Sequence, residues 1–304
     1  MRKFFEMMFF APKWYHYPII VILLPLSFVY GFVMQLRRKF AKHISFGVPI
    51  LSVGNLIVGG TGKTPFVIAL ASRYKDVTII SRGYGRQSKG LLEVSKQGKI
   101  LVDVIQSGDE AMLMATSLPN ASVMVSENRQ QAIELAVQQG AKVIILDDGF
   151  NRVELEKFDI LLEPLGIKNH YTFPAGPFRE FMSTRKKANL IIKEGKAFNR
   201  LVTIVNPSDT MVLVTAIAYP QRLDAYLPTN VVKKVYYDDH MYFDESKLQK
   251  ILEENQATSL LCTSKDKVKM QGFKLPISEM KLKLEIQNEI FTQVDAYVEG
   301  YKDA

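Results

Sequence analysis

Cysteine is all but missing: Cys262 is the single thiol in 304 residues, which excludes an internal disulfide framework and any cysteine-built structural zinc site. A reducing compartment follows, with the bulk of the chain in cytoplasm. Acidic side chains are almost absent from residues 1–45, where Arg2, Lys3, Lys13, Arg37, Arg38, Lys39 and Lys42 face only Glu6. Seven basic groups against one acid leave +6 of the overall +8 in that segment, so the other 259 residues carry only +2. A nucleic-acid-binding surface, which spreads cations over the folded body, is excluded. Internal repeats and low-complexity tracts are also missing, and 47% hydrophobic with 23% charged residues rules out a disordered or fibrous chain and suits two lobes.

Charge is wholly lacking from Tyr17 to Leu36, twenty residues apolar on every side and long enough to cross a bilayer. Pro18 and Pro25 weaken a straight span, and Phe4, Phe5, Phe9, Phe10, Trp14 and Tyr15 suit an interface, so a shallow or kinked membrane helix fits equally. A buried core helix is the other reading. No small-residue cleavage site follows, which argues against a signal peptide. The cluster Arg37-Arg38-Lys39 places the body on the cytoplasmic side, each cation near anionic lipid contributing about 1 kcal/mol.

What is present centres on Val58-Gly59-Gly60-Thr61-Gly62-Lys63-Thr64-Pro65, directly after the apolar run Val48 to Val53. Glycines let backbone N–H groups converge on phosphate oxygens, the next helix presents its positive end, Lys63 reaches the terminal phosphates and Thr64 offers a hydroxyl to Mg²⁺. The strict phosphate-loop pattern asks for glycine at Ile57; Gly54, Gly59, Gly60 and Gly62 supply backbone freedom nearby. Gly59, Gly60, Thr61, Gly62, Lys63, Thr64 and Pro65 are the expected nucleotide contacts, against the alternative of a glycine-rich turn with an incidental lysine.

Beyond the loop, Val77–Ile80, Ser122–Val125 and Lys142–Leu146 are predicted strands, with helices over Asp109–Ser117 and Glu127–Gln139. The fold class is α/β: a P-loop, doubly wound, mostly parallel sheet with a second, smaller α/β lobe and an N-terminal hydrophobic membrane helix. That lobe takes strands at Met211–Val214, Lys234–Tyr237 and Ser259–Cys262 and a helix over Asp244–Glu254. Asn199–Asp209 is the expected boundary, giving a membrane-associating segment 1–45, a P-loop domain 46–200 and a smaller C-terminal α/β domain 201–304.

The strand ending in Leu146 runs into Asp147-Asp148-Gly149, and an acid at the carboxyl end of a strand beside a phosphate loop suits a Mg²⁺ ligand. Asp147 takes that role, although two aspartates before glycine also make a common turn. Arg82, Tyr84 and Arg86 lie in a glycine-punctuated loop after a strand, where guanidinium groups can hold an anionic group. A surface loop with ordinary charges is the alternative. Arg129 is either a transition-state cation or an arginine of an amphipathic helix. By residue type alone, Asp109 is a helix N-cap and His240 an exposed histidine.

Eight segments together change that reading. Val53-Gly54-Asn55, Gly59 to Pro65, Ser81-Arg82-Gly83-Tyr84-Gly85-Arg86, Gly108-Asp109-Glu110, Asp147-Asp148-Gly149-Phe150, Phe173-Pro174-Ala175-Gly176-Pro177-Phe178-Arg179-Glu180, Asp238-Asp239-His240 and Thr263 to Lys269 occur in the order found in tetraacyldisaccharide 4'-kinases, which the chain resembles over nearly its full length. The resemblance implies transfer of the ATP γ-phosphate to the 4'-hydroxyl of a tetraacylated glucosamine disaccharide 1-phosphate, with ATP and Mg²⁺ as cofactors, at the cytoplasmic face of the inner membrane of a Gram-negative bacterium. It further implies an Asp109–His240 catalytic dyad assisted by Lys63, Mg²⁺ ligation by Thr64, Asp147 and Glu180, and substrate contacts from Asn55, Arg82, Tyr84, Arg86 and Arg129. A solvated carboxylate is the plainer reading of Glu180. The sequence departs from the family pattern at Asn151-Arg152, Ala111 and Ser264. The competing class is a membrane-associated P-loop GTPase or ATPase, a switch or metallochaperone; the guanine-reading Asn-Lys-x-Asp is absent, Lys265 and Asp266 being adjacent.

Overall fold

The computed structural model describes residues 2–59, 62–164 and 166–301. In chain order the helices are α1 (Arg2–Phe10), α2 (Tyr17–Lys39), α3 (Lys63–Ala71), α4 (Val104–Ser107), α5 (Asp109–Ser117), α6 (Arg129–Gln138), α7 (Glu245–Glu254), α8 (Ser264–Lys267) and α9 (Asn288–Gly300). The strands are β1 (Ile50–Gly54), β2 (Val77–Ser81), β3 (Leu92–Lys96), β4 (Lys99–Ile100), β5 (Ser122–Val125), β6 (Val143–Asp147), β7 (Phe158–Glu163), β8 (Leu190–Lys193), β9 (Phe198–Val205), β10 (Met211–Thr215), β11 (Val231–Tyr236), β12 (Ser259–Thr263) and β13 (Ile277–Ile286). Contacts group them into two units: Met1–Val67, Ile133–Asn199 and Ile286–Ala304 form one, Ile68–Ala132 and Arg200–Glu285 the other.

In the first unit the parallel strands run β6-β1-β7-β8. Leu51 and Val53 of β1 are fully buried, as expected of a strand covered on both faces. Because β1 has β6 on one side and β7 on the other, the chain winds outward in both directions from it. Its carboxyl end is therefore a topological switch point, where doubly wound folds take their ligands. The glycine-rich loop leaves the sheet there.

Helix α2 carries Pro18 in its first turn, where a missing N–H costs nothing, and Pro25 in its interior. One narrow face is docked on the folded body: Ile20, Ser27 and Gly31 are buried. The Ser27 hydroxyl donates to the Thr172 carbonyl at 2.7 Å and accepts from the Ala175 N–H at 2.8 Å, while the Thr172 hydroxyl returns a bond to the Ser27 carbonyl at 2.6 Å. A methyl at Gly31 would stand 2.5 Å from the Phe181 ring, so the small residue lets the helix approach. The opposite face is bare, with Ile22 76% and Phe28 66% exposed. The buried-core reading of this segment is thus corrected: only a strip of it is core. The basic cluster at its end also needs correcting, because Arg38 turns inward to Glu180 and Arg37 reaches Glu154 instead of both facing lipid.

In the second unit β2 pairs in parallel with β5, and β3 and β4 extend the array antiparallel, giving β4-β3-β5-β2. A five-stranded sheet is built in the order β11-β10-β12-β13-β9. Val212, Val214, Leu260 and Cys262 of its strands pack with Leu248 and Leu252 of α7, whose Asp244 cap accepts from the Lys247 N–H at 3.1 Å. Where a boundary over Asn199–Asp209 was expected, β9 already occupies residues up to Val205, and the chain turns at Asn206 with φ +54°.

Candidate active site

Helix α3 begins at Lys63, immediately after Gly62, whose φ of +72° favours a residue without Cβ. Gly54, at the end of β1, is needed for a different reason: a Cβ there would lie 2.5 Å from that of Phe150. Gly60 and Thr61 lie outside the described residues. Thr64 is buried at 8% exposure on the first turn of α3, and Pro65 comes next, where the helix needs no N–H donor. Asn55, just past β1, is fully buried.

Parallel registry sets Asp147 of β6 opposite Val53 of β1, so the acid stands at the same sheet end from which the loop departs. The N–H of Asp148 donates to the Val53 carbonyl at 2.9 Å, and its φ of +58° turns the side chain aside. Asp148 is one of the residues to which the sequence assigned no role. Its carboxylate meets Lys63 Nζ at 3.3 Å and Arg179 Nη1 at 2.9 Å. Burial pushes its carboxyl up, but the two cations prevail and hold it below its ordinary value.

Glu180, expected at the metal, accepts both Nε and Nη2 of Arg38, each at 2.9 Å. That fork also donates to the Phe150 carbonyl at 3.2 Å and stacks 4.7 Å over the Phe150 ring. Among the described residues no three His, Cys, Asp or Glu side chains form a metal cluster. The Thr64 hydroxyl and the Asp147 carboxylate, hard oxygen donors near the lysine of the loop, do suit a nucleotide-bound Mg²⁺, which takes most of its ligands from phosphate and water.

In the second unit the two dyad candidates meet. His240 Nδ1 lies 2.9 and 3.0 Å from the two carboxylate oxygens of Asp109, across 131 positions of sequence. Asp109 is not an N-cap; Gly108 is, with φ +83°, and Asp109 opens α5 at 3% exposure. His240 is held in the left-handed region with φ +63°, its N–H donating to the Ala216 carbonyl at 3.1 Å. Burial raises the Asp109 carboxyl, yet the His240 hydrogen bond and then Lys265, His240 and Lys269 outweigh it and leave the group below its ordinary value. A carboxylate can only accept, so Nδ1 carries the proton and Nε2 is left as the basic nitrogen, 3.5 Å from Asp239 Oδ2.

The substrate-side candidates divide. Tyr84, 69% exposed, sets its ring 5.0 Å from that of His240, and Arg82 is exposed. Arg86 is engaged internally, donating to Glu127 at 2.6 Å and to the Gly90 carbonyl at 2.6 Å. Arg129, 3% exposed, donates to the Ser81 carbonyl at 2.8 Å and to that of Ser126. Neither spacing nor periodicity flags Arg38, Asp148, Lys265 or Lys269. A weak signal existed for the two lysines, which stand four apart after the Thr263 cap, whose hydroxyl receives the Asp266 N–H at 3.2 Å.

Comparison with known proteins places the chain. The family model described as LpxK, tetraacyldisaccharide-1-P 4'-kinase, matches residues 19–299. A tetraacyldisaccharide 4'-kinase of Helicobacter pylori (strain J99) is 46% identical over 302 residues, covering 99% of this chain and 96% of that protein. Those of Aliarcobacter butzleri and Campylobacter jejuni are 43% and 38% identical, covering 96% and 97% of this chain and 96% and 95% of the relatives. The solved structure of LpxK from Aquifex aeolicus in complex with ATP aligns with a TM-score of 0.77 at 27% identity, over 92% of this chain and 99% of that one. The chain belongs to the tetraacyldisaccharide-1-phosphate 4'-kinase family.

Proposed function

We propose that this chain is the ATP-dependent kinase that phosphorylates the 4'-hydroxyl of tetraacyldisaccharide 1-phosphate, yielding the bisphosphorylated lipid A precursor. The observation that carries the reading is the 2.9 Å contact of His240 Nδ1 with Asp109 in a member of this kinase family. A sugar hydroxyl is a poor nucleophile, and phosphoryl transfer relies on in-line positioning, charge neutralisation and a late proton acceptor. His240 Nε2 takes the hydroxyl proton as the 4'-oxygen bonds to the γ-phosphorus and the bridging bond to the β-phosphate breaks, releasing ADP. The imidazolium so formed lies between Asp109 and Asp239. Lys63 leaves its ion pair with Asp148 to hold the terminal phosphates.

Mg²⁺, when bound with the nucleotide, neutralises charge on the β- and γ-phosphates. Thr64 and Asp147 would hold it; a Mg²⁺ role for Glu180 requires its carboxylate to leave Arg38. Of the remaining candidates, Arg82, Tyr84 and Asn55 are assigned to substrate, Tyr84 by its place beside His240. Arg86 and Arg129 keep their substrate assignment only if they exchange the carbonyl and carboxylate partners they now hold.

Membrane attachment is the second part of the proposal. Residues 1–45 attach the protein to the cytoplasmic face of the inner membrane, 46–200 bind nucleotide and 201–304 form the smaller lobe. Helix α2 lies along the body through Ile20, Ser27 and Gly31 and turns Val21, Ile22, Phe28, Val29 and Val33 outward, which supports lying in the interface over crossing it. An acceptor carrying four acyl chains is then met without extraction into water.

The test supplies membranes with ATP, Mg²⁺ and radiolabelled disaccharide 1-phosphate. A bisphosphate product is expected, and Asp109→Ala and His240→Ala should bind ATP yet turn over about 10²–10⁴-fold more slowly. Full activity in both variants removes the dyad.

A further inference from the structure

Lys269 stands beside the dyad with no part in the reaction. It is a fully buried ammonium, its side chain 0% exposed, and lysine is almost never buried without a charged partner. Its Nζ lies 3.0 Å from Asp266 Oδ1 and 3.9 Å from Asp109 Oδ2, 4.9 Å over the Phe243 ring. Lys265, one turn earlier, stands 3.6 Å from the same Asp109 oxygen, 3.5 Å from Glu110 and 3.7 Å from Asp239.

Asp266 holds Lys269. It is 0% exposed and accepts from the Thr215 hydroxyl at 2.6 Å, the Ala216 N–H at 3.0 Å and the Thr263 hydroxyl at 2.7 Å. Ala216 in turn receives the His240 N–H on its carbonyl. One buried carboxylate therefore fixes the ammonium that faces Asp109 and, through the single residue Ala216, the backbone from which His240 hangs.

We propose that Lys269, set by Asp266, and Lys265 are the positioning residues of the dyad: they keep Asp109 an ionised acceptor aimed at His240 Nδ1. The proposal rests on reading Asp109 and His240 as the catalytic pair. Left to burial alone, Asp109 would be drawn toward its neutral form, and a protonated carboxyl no longer fixes the proton on Nδ1. Together with the hydrogen bond from His240, the two lysines counter that tendency. Besides Asp109, His240, Lys265 and Lys269, the titratable and charged groups facing the cluster among the described residues include Tyr84, Glu110, Asp239, Tyr242 and Asp266.

Removing one cation makes Asp109 easier to protonate, so the acid limb of the pH–rate profile, where the dyad needs that carboxylate ionised, moves upward. The experiment measures kcat against pH for the full-length enzyme and for Lys269→Met, Lys265→Gln and Lys265→Arg. An upward displacement of the acid limb by about one pH unit is expected for Lys269→Met and Lys265→Gln, since a single opposite charge at this range shifts a carboxyl by that order. Lys265→Arg, which keeps the charge, should leave the limb in its native place. Unmoved acid limbs in the two neutral variants would overturn the proposal, even if thermal stability falls; should Lys269→Met fail to fold, Lys265→Gln decides. Asp109→Asn and His240→Gln measured alongside separate the two readings, because retained turnover in both would strike at the dyad itself and not at its lysines.

Discussion

Ser27→Ala is the sharpest perturbation of the apolar helix. The hydroxyl of Ser27, 3% exposed, bonds two backbone groups of the Thr172–Ala175 turn, which are themselves buried at 4% and 0% exposure. Alanine has the right volume and no polar atom, so the Thr172 carbonyl and the Ala175 N–H both lose their side-chain partner. The Thr172 carbonyl keeps the Gly176 N–H at 3.0 Å, so the Ala175 N–H is the buried group left unpaired, at about 1–3 kcal/mol when the helix stays in place. Undocking α2 would instead expose Ile20 and Met8, which pack with Ala175, at about 1.5–3 kcal/mol for each side chain. Either route weakens the first unit by at least about 1 kcal/mol. Urea unfolding of the detergent-solubilised protein, followed by tyrosine fluorescence and by proteolysis within residues 17–39, should give a lower midpoint and faster cleavage. A helix that crossed the bilayer independently of the body would not depend on this hydroxyl. An unchanged midpoint with unchanged cleavage would refute the docked arrangement.

The exposed side of the same helix predicts the opposite pattern: Ile22→Glu with Val33→Glu, at residues 76% and 54% exposed, should abolish flotation with anionic vesicles while the urea midpoint stays within about 0.5 kcal/mol of native. Replacing Asp148 by Asn breaks its pairs with Lys63 and Arg179; since the carboxylate is partly solvated, about 1 kcal/mol of stability is expected to go at neutral pH. The Asp148 carboxyl is depressed in the folded state, so the stabilisation it gives is complete above its ordinary value near 3.8 and fades as pH falls through the lower folded value. The difference between native and Asp148→Asn proteins in thermal denaturation should therefore vanish on strong acidification; a difference that grew instead would reverse the assignment. Gly54→Ala should be poorly tolerated, because its Cβ would stand 2.5 Å from that of Phe150, and nucleotide binding should weaken with it in calorimetry.

Much of this was legible in residue patterns because local signals carried it. Continuous apolar runs marked β1, β2, β5, β6, β10 and β12, and the glycine-rich loop marked the phosphate-binding turn after β1. Strands with mixed faces were missed: β3 carries Glu93 and Lys96, and β9 alternates buried or half-buried with exposed residues, beginning where a linker was expected. The site was readable where a motif held both partners. Pairings between distant elements left no local trace, so Arg38 looked like a lipid-facing cation although its partner is Glu180. Asp148 was overshadowed by its neighbour Asp147: which of two adjacent acids meets Lys63 depends on the positive φ at the strand end. Arg86 and Arg129 looked available for substrate because sequence cannot reveal carbonyls that engage a guanidinium.

The central claim is that Asp109 and His240 act together on a lipid-linked hydroxyl in a nucleotide-binding fold. Steady-state transfer of ³²P from ATP to tetraacyldisaccharide 1-phosphate by the native protein, His240→Gln, Asp109→Asn and the double variant tests it most directly. Each single variant should lose about 10²–10⁴-fold in kcat with ATP affinity retained, and the double variant should be little worse than either, as groups acting as one unit behave. Losses that multiply in the double variant, or turnover at the native rate without either side chain, would contradict it.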